Sequence, residues 1–197
     1  MALDAPDNKG AQSMTQTTHR SISLPARPPS LQERLRDGSV VYIRPILHTD
    51  ASLEKSFLSR LTPEGLSYRF LGLVKDSSPE TARELTHIDA SREFALAALS
   101  IDGDQEKEIG VACYRLSDDG RRCDCAVTVD PTWQNRGVGR ALMQHLIGVA
   151  RAQGVQRMYA VDAVRCAGAH ALAQYLGFHS RPDPEDPAVV TFELELD

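Results

Sequence analysis

Between residues 129 and 142 the chain reads VDPTWQNRGVGRAL, and its two glycines, Gly137 and Gly139, stand where a β-type apolar run gives way to a helix-forming one. Glycine lets a backbone take dihedrals that other residues avoid, and lets a ligand approach the amides closely. A helix start adds unpaired N–H donors and the positive end of the helix dipole. Arg136 and Arg140 add charge beside them. The chemistry this points to is the holding of a phosphate or pyrophosphate by the amides from Gln134 through Asn135, Arg136, Gly137, Val138 and Gly139 to Arg140. A dinucleotide fingerprint needs a third glycine three residues after Gly139, where Leu142 stands, and a P-loop needs Gly-Lys-Ser/Thr, which does not occur. A plain strand-to-helix turn with glycine for packing fits the same residues, so the loop alone leaves two readings open.

Metal chemistry finds little support. Cys123 and Cys125 fall on one face of a strand, and no second pair supplies the ligands a zinc site needs. The four cysteines read as free thiols, Cys166 included. The six histidines show no ligand spacing, and His145 falls on a helix flank facing solvent. Trp133, the single tryptophan, reads as a packing residue.

The elements that must position the loop follow from periodicity. Val40–Ile43 is β-branched and aromatic and ends at Pro45; Phe94–Leu99 is a buried strand; Ile109–Leu116 and Cys123–Val129 are the next two. Gly139–Gln153 carries Leu142, Met143, Leu146, Ile147, Val149 and Ala150 on one helical face, and Gly154 ends it. Met158–Val161 is a fifth strand, followed by a short helix through Leu172 and Leu176 that stops at Gly177. From Val190 to Leu196 the chain alternates, with Val190, Phe192, Leu194 and Leu196 inward. Earlier helices are expected from Asp50 as cap, from Thr62-Pro63-Glu64, and from Ser78-Pro79-Glu80. The order predicts an α/β (α+β) fold: helices on a mixed, mostly antiparallel sheet. Residues 1–30, rich in Ser, Thr, Gln and Pro without apolar period, read as a flexible tail, and 31–197 as one domain.

The net charge of −5 and pI near 5.7 speak against a nucleic-acid binder, which needs a basic face. No apolar run is long enough for a membrane helix, and the N-terminus lacks a secretory core, so a cytoplasmic protein that does not engage membranes is expected.

Gln134-x-x-Gly137-x-Gly139, after a strand and opening an amphipathic helix, resembles the acyl-CoA motif of GNAT acetyltransferases. The likeness runs from about Leu35 onward and is closest to the GNAT domain of bacterial protein lysine acetyltransferases that act on acyl-CoA synthetases. LRDGSVVYIRPI, RLTPEGLSYRFLG, THIDASREFALAAL, AQYLGF and RPDPEDPAVVTFELEL carry it. The resemblance implies acetyl-CoA as acyl donor, no metal, and an amine acceptor: a protein lysine, with a small-molecule amine or a CoA-binding module of little catalysis as alternatives. It implies that the backbone at Val127, Thr128 and Val129 meets the pantetheine arm, that a splay after the fourth strand makes room for it, and that the Val129 amide faces the thioester carbonyl. It implies Asp124 as the base, standing where the lysine-acetyltransferase branch has Glu, with Glu93 as a second carboxylate. Many GNAT enzymes carry a Tyr four residues before the Gly-Phe pair; here that position is Ala173, and Tyr175 lies about 200° round the helix from it. Arg69 and Phe70 are expected to border the acceptor site.

Overall fold

The computed structural model describes residues 30–63, 65–66, 76–163, 166–184 and 186–196. The helix start expected at Thr62 is present, with the Thr62 hydroxyl accepting from the Gly65 amide at 3.1 Å and its carbonyl from the Leu66 amide at 2.9 Å. Arg69 and Phe70, the continuation of that helix past Leu66, and the N-terminal segment 1–29 lie outside the described residues.

The strands are β1 (Leu31–Arg34), β2 (Val40–Pro45), β3 (Glu93–Asp102), β4 (Gln105–Leu116), β5 (Arg122–Val129), β6 (Arg157–Ala163), β7 (His179–Pro182) and β8 (Val189–Glu195). They form one sheet in the order β1-β2-β3-β4-β5-β6-β8-β7. Every pairing is antiparallel except β5 with β6. The helices are α1 (Ala51–Leu58), α2 (Pro79–Thr86), α3 (Val138–Ala152) and α4 (Ala167–Leu176). The expected mixed, mostly antiparallel sheet with flanking helices is therefore what forms. Two strands were not expected: β1 and β7, four residues each, at opposite edges.

The sheet separates two apolar layers. On one face α3 buries Val138, Leu142, Met143, Leu146 and Ala150 against Tyr114, Cys123, Cys125, Met158 and Phe192. On the other, Phe57 of α1 packs over Ala95, Ala97, Leu99 and Val111. The alternation predicted for the C-terminal strand holds, with Val190, Phe192, Leu194 and Leu196 all buried.

Asp50 does precede α1, but its carboxylate does not cap that helix. It turns back to accept from the Leu47 amide at 2.8 Å and from both terminal nitrogens of buried Arg44 at 2.6 and 3.0 Å. A buried guanidinium demands a paired carboxylate more strongly than a helix end exposed to water demands a cap. Ser78 does cap α2, accepting from the Thr81 amide at 3.1 Å.

α3 lies close against the sheet at Gly110. A Cβ there would stand 3.1 Å from Leu142 Cδ1, 3.1 Å from Val138 Cγ1 and 3.2 Å from the Thr128 carbonyl oxygen. Gly110→Ala is expected to destabilise the protein by about 1–3 kcal/mol through overpacking, read by urea unfolding.

Candidate functional site

β5 and β6 pair over three residues only: Arg122 with Arg157, Cys123 with Met158, Asp124 with Tyr159. Beyond that rung the strands part, although β5 continues to Val129 and β6 to Ala163. On its other side β5 stays paired with β4 up to Val129. The Asp130 amide donates to the Ile109 carbonyl at 2.9 Å, which fixes the alternation of that antiparallel ladder. Thr128 and Ala126 thus turn their backbone groups to β4, while Val127 and Val129 turn theirs into the gap. Thr128, expected with its two neighbours, stands outside the gap; its side chain is 6% exposed, on the sheet face opposite α3.

The Gly137–Arg140 amides lie at the gap's open end. Asp130 caps the turn at Pro131–Trp133, accepting from the Thr132 amide at 2.9 Å and the Thr132 hydroxyl at 2.6 Å. Arg60, just after α1, donates to the same carboxylate at 2.7 Å and to the Glu108 and Ser56 carbonyls at 2.6 Å each. Burial would raise the Asp130 carboxyl, but the Thr132 and Arg60 hydrogen bonds and the nearby Lys107 ammonium hold it below the usual carboxylate range. The loop then turns through Asn135 at φ 60° and Gly137 at φ 105°, and α3 begins. Gly137 satisfies a left-handed backbone. Gly139 does not: a Cβ there would lie at ordinary distances of 3.5 Å from Val129 and Leu172 and 3.9 Å from Val127, in the mouth of the gap. Glycine at 139 keeps that mouth clear.

Neighbouring side chains brace the loop. Gln134 Nε2 donates to the Val129 carbonyl at 3.4 Å. Arg136 lies 4.9 Å from the Trp133 ring centroid and 3.5 Å from the Asp37 carboxylate. Arg140 lies 4.2 Å over Tyr175, joining the start of α3 to the end of α4. Tyr175 is therefore a surface residue, as its phase on the helix requires. Trp133 packs against the main core as expected.

Inward from the mouth the gap widens into a cavity of about 530 Å³, lined from β5 by Asp124 to Val127, from β6 by Tyr159 to Asp162, and by Met143, α4, Phe178 and Phe192. Asp124 is exposed at its inner end. It belongs to a row running directly across the sheet: Glu93, Arg115, Asp124, Tyr159, Glu193 and His179. Directly opposed residues share a face, here the one away from α3. Arg115 binds Glu93 at 2.6 Å, Tyr159 donates to Glu193 at 3.2 Å, and Arg181 pairs with Glu193 at 3.2 Å. Among the described residues Asp124 makes no ion pair. Glu93 is two strand spacings, roughly 10 Å, from Asp124 and does not line the cavity.

The strands that carry Tyr159 and Phe192 were expected, but their place at the cavity was not; β6 reaches Asp124 by parallel pairing across an intervening helix, and β8 joins β6 antiparallel. His145, expected in solvent, is half-buried and meets Glu33 of β1 at 2.7 Å. The unexpected edge strand supplies that partner. Cys123 and Cys125 do share a buried face, where burial raises the Cys123 thiol to about 12 and that of Cys125 well above its ordinary value. Burial also raises the Cys166 thiol, which disfavours a thiolate nucleophile. No group of three His, Cys, Asp or Glu among the described residues is arranged to hold a metal. No described helix is long and apolar enough to cross a membrane.

Comparison with known proteins places this geometry. The model of the acetyltransferase (GNAT) family matches residues 66–178. An acetyltransferase of Pseudomonas aeruginosa is 37% identical over 164 residues, 83% of this chain and 88% of that protein. A chloroplastic GCN5-related N-acetyltransferase of Arabidopsis thaliana is 28% identical over 90% of this chain and 82% of its own length. Among solved structures, the GNAT domain of PAT from S. lividans superposes with a TM-score of 0.73 at 27% identity, covering 85% of this chain and 97% of that one.

Asp130→Ala removes the partner of a largely buried guanidinium and the cap of the loop. It is expected to cost about 3 kcal/mol, measured by urea unfolding at pH 7. Because the folded carboxyl titrates below its unfolded value, the stabilisation is complete above that value, near ~3.9, and is lost as pH falls through the folded one. The difference between wild type and variant should therefore shrink between pH 5 and pH 2.

Proposed function

The chain belongs to the acetyltransferase (GNAT) family, and on that premise we propose that it moves the acetyl group of acetyl-CoA to the side-chain amine of a protein lysine. The observation that carries the proposal is the parted strand pair: the backbone of Val127 and the Val129 amide turned into the gap, helix-start amides at one end, and at the other the Asp124 carboxylate, without an ion pair among the described residues.

In this reading the amides from Gln134 to Arg140 take the pyrophosphate, with Arg136 and Arg140 adding charge. The pantetheine arm, which carries amide groups of its own, adds to the open edge of β5 as a strand would. A lysine ammonium, with an ordinary pKa of about 10.4, must lose a proton before it can attack. Asp124 takes that proton through a water, its side chain being one methylene shorter than Glu. The nitrogen attacks the thioester carbon, and the amide that stabilises the developing oxyanion is that of Val127 rather than the expected Val129, which stands at the mouth beside Gly139, five residues or roughly 16 Å along β5 from Asp124. The nitrogen gives its second proton to solvent, the C–S bond breaks and CoA leaves as thiolate. Ala173 offers no proton, so the thiolate is protonated from solution. Holding both substrates together supplies much of the rate. Glu93 acts at one remove: its ion pair keeps Arg115 from closing on Asp124.

The lysine assignment draws on the branch resemblance and on the open approach to Asp124, beside which Val161 is 56% exposed. An enclosed site would suit a small-molecule amine, the alternative acceptor. The test is thiol release from acetyl-CoA with lysine-bearing proteins and with a panel of small amines. Release that stays at background while CoA binds would replace the enzyme with a CoA-binding module. Asp124→Ala is expected to lower kcat about 100-fold with little change in KM for acetyl-CoA, and Glu93→Gln to lower it less than about tenfold. Full activity in Asp124→Ala would remove Asp124 as the base.

A further inference from the structure

With the arm of the donor in the gap and its pyrophosphate on the first turn of α3, the adenosine end must leave through the mouth. A cation–aromatic pair stands on each side of that mouth, and the two pairs differ. On one side Arg136 lies 4.9 Å from the Trp133 ring centroid and 3.5 Å from the Asp37 carboxylate. Trp133 is half-buried and packs against the main core. That side has a neutralised cation and a ring committed to packing.

On the other side Arg140 lies 4.2 Å over the Tyr175 ring. Arg140 is half-buried, and among the described residues no carboxylate pairs with it. Tyr175 is 49% exposed although a guanidinium covers one face of its ring, so the other face is open to water. Its place follows from its neighbours. A Cβ at Gly139 would stand 3.5 Å from Leu172, so Leu172 borders the mouth. Tyr175 follows Leu172 by three residues on the same side of α4, about 5 Å further along the helix. Arg140, whose guanidinium it carries, follows Gly139 directly in the first turn of α3.

An aromatic ring with one free face in water, beside a phosphate-holding helix start, suits a flat base that stacks without needing specific hydrogen bonds. We infer that Tyr175 is a donor-binding residue whose open face stacks the adenine base of acyl-CoA. The inference rests on the acyl-CoA reading of the gap and deepens it by naming what holds the nucleotide end. It also sets the donor class: the nucleotide-bearing thioester is selected over a phosphopantetheine thioester that lacks adenosine, such as one attached to a carrier protein. Tyr175 takes no part in the transfer itself.

The test needs no acceptor. Dissociation constants are measured by calorimetry with the full chain for CoA, and for 4′-phosphopantetheine by its displacement of CoA. The wild-type protein is expected to prefer CoA by at least roughly tenfold. Tyr175→Ala should weaken CoA roughly tenfold while changing 4′-phosphopantetheine by no more than about twofold. Tyr175→Phe, which keeps the ring, should bind CoA as the wild type does. Equal losses for both ligands in Tyr175→Ala would make the ring a support for Arg140 alone and overturn the inference. Unchanged CoA affinity in that variant would overturn it too, and either result leaves the acyl-CoA reading standing. Failure of the wild type to bind CoA would overturn both. Equal wild-type affinities for the two ligands would overturn the inference even if a variant did not fold.

Discussion

Two parallel strands that pair for three residues and then part create an edge inside a sheet. Backbone donors and acceptors in a protein interior must be satisfied, and an open strand edge is a template for whatever extended group can reach it. Here the edge consists of Val127 and Val129, because the register of β5 with β4 turns every second residue away from the gap. The rest of the site follows from keeping this edge open. Tyr114 and the cysteines of β5 pack under α3, Leu172 of α4 stands at the mouth, and Arg140 over Tyr175 couples the two helices. Asp130, gripped by Arg60, sets the angle at which the chain leaves β5 and starts α3. A displacement of that anchor would move the helix-start amides relative to the strand edge, and a bound group must meet both.

The gap also joins two environments that the sheet otherwise separates. Its apolar side belongs to the layer under α3 and α4; its polar side opens on a row of paired charges in which Asp124 has no ion-pair partner among the described residues. An acyl transfer needs this division. In the proposed reaction the thioester would be shielded from water on one side, and on the other an amine would approach the carboxylate assigned as base.

The loop was legible because glycine spacing before an amphipathic helix has a physical meaning that does not depend on distant residues. So were the buried strands and the alternating β8, whose period of two matches their faces. What escaped was non-local. β1 and β7 are four-residue edge strands, mostly exposed, with no alternation, and they exist because a neighbour supplies the ladder. Asp50 was read as a cap because nothing nearby announces that Arg44, six residues earlier, would be buried and claim its carboxylate. Thr128 was grouped with Val127 and Val129 by adjacency, whereas strand register assigns alternate residues to opposite edges. Tyr159 became a neighbour of Asp124 only through a pairing that spans the whole of α3.

The central claim is that the open β5 edge and the first turn of α3 together form one acyl-CoA site. Hydrogen exchange read amide by amide, with and without CoA, addresses it directly. The account predicts slowed exchange at Val127, at Val129 and from Gly137 to Arg140 when CoA is present, with Thr128 unchanged because its amide is already held by β4. Protection confined to the helix start, with Val127 and Val129 exchanging as before, would contradict the claim.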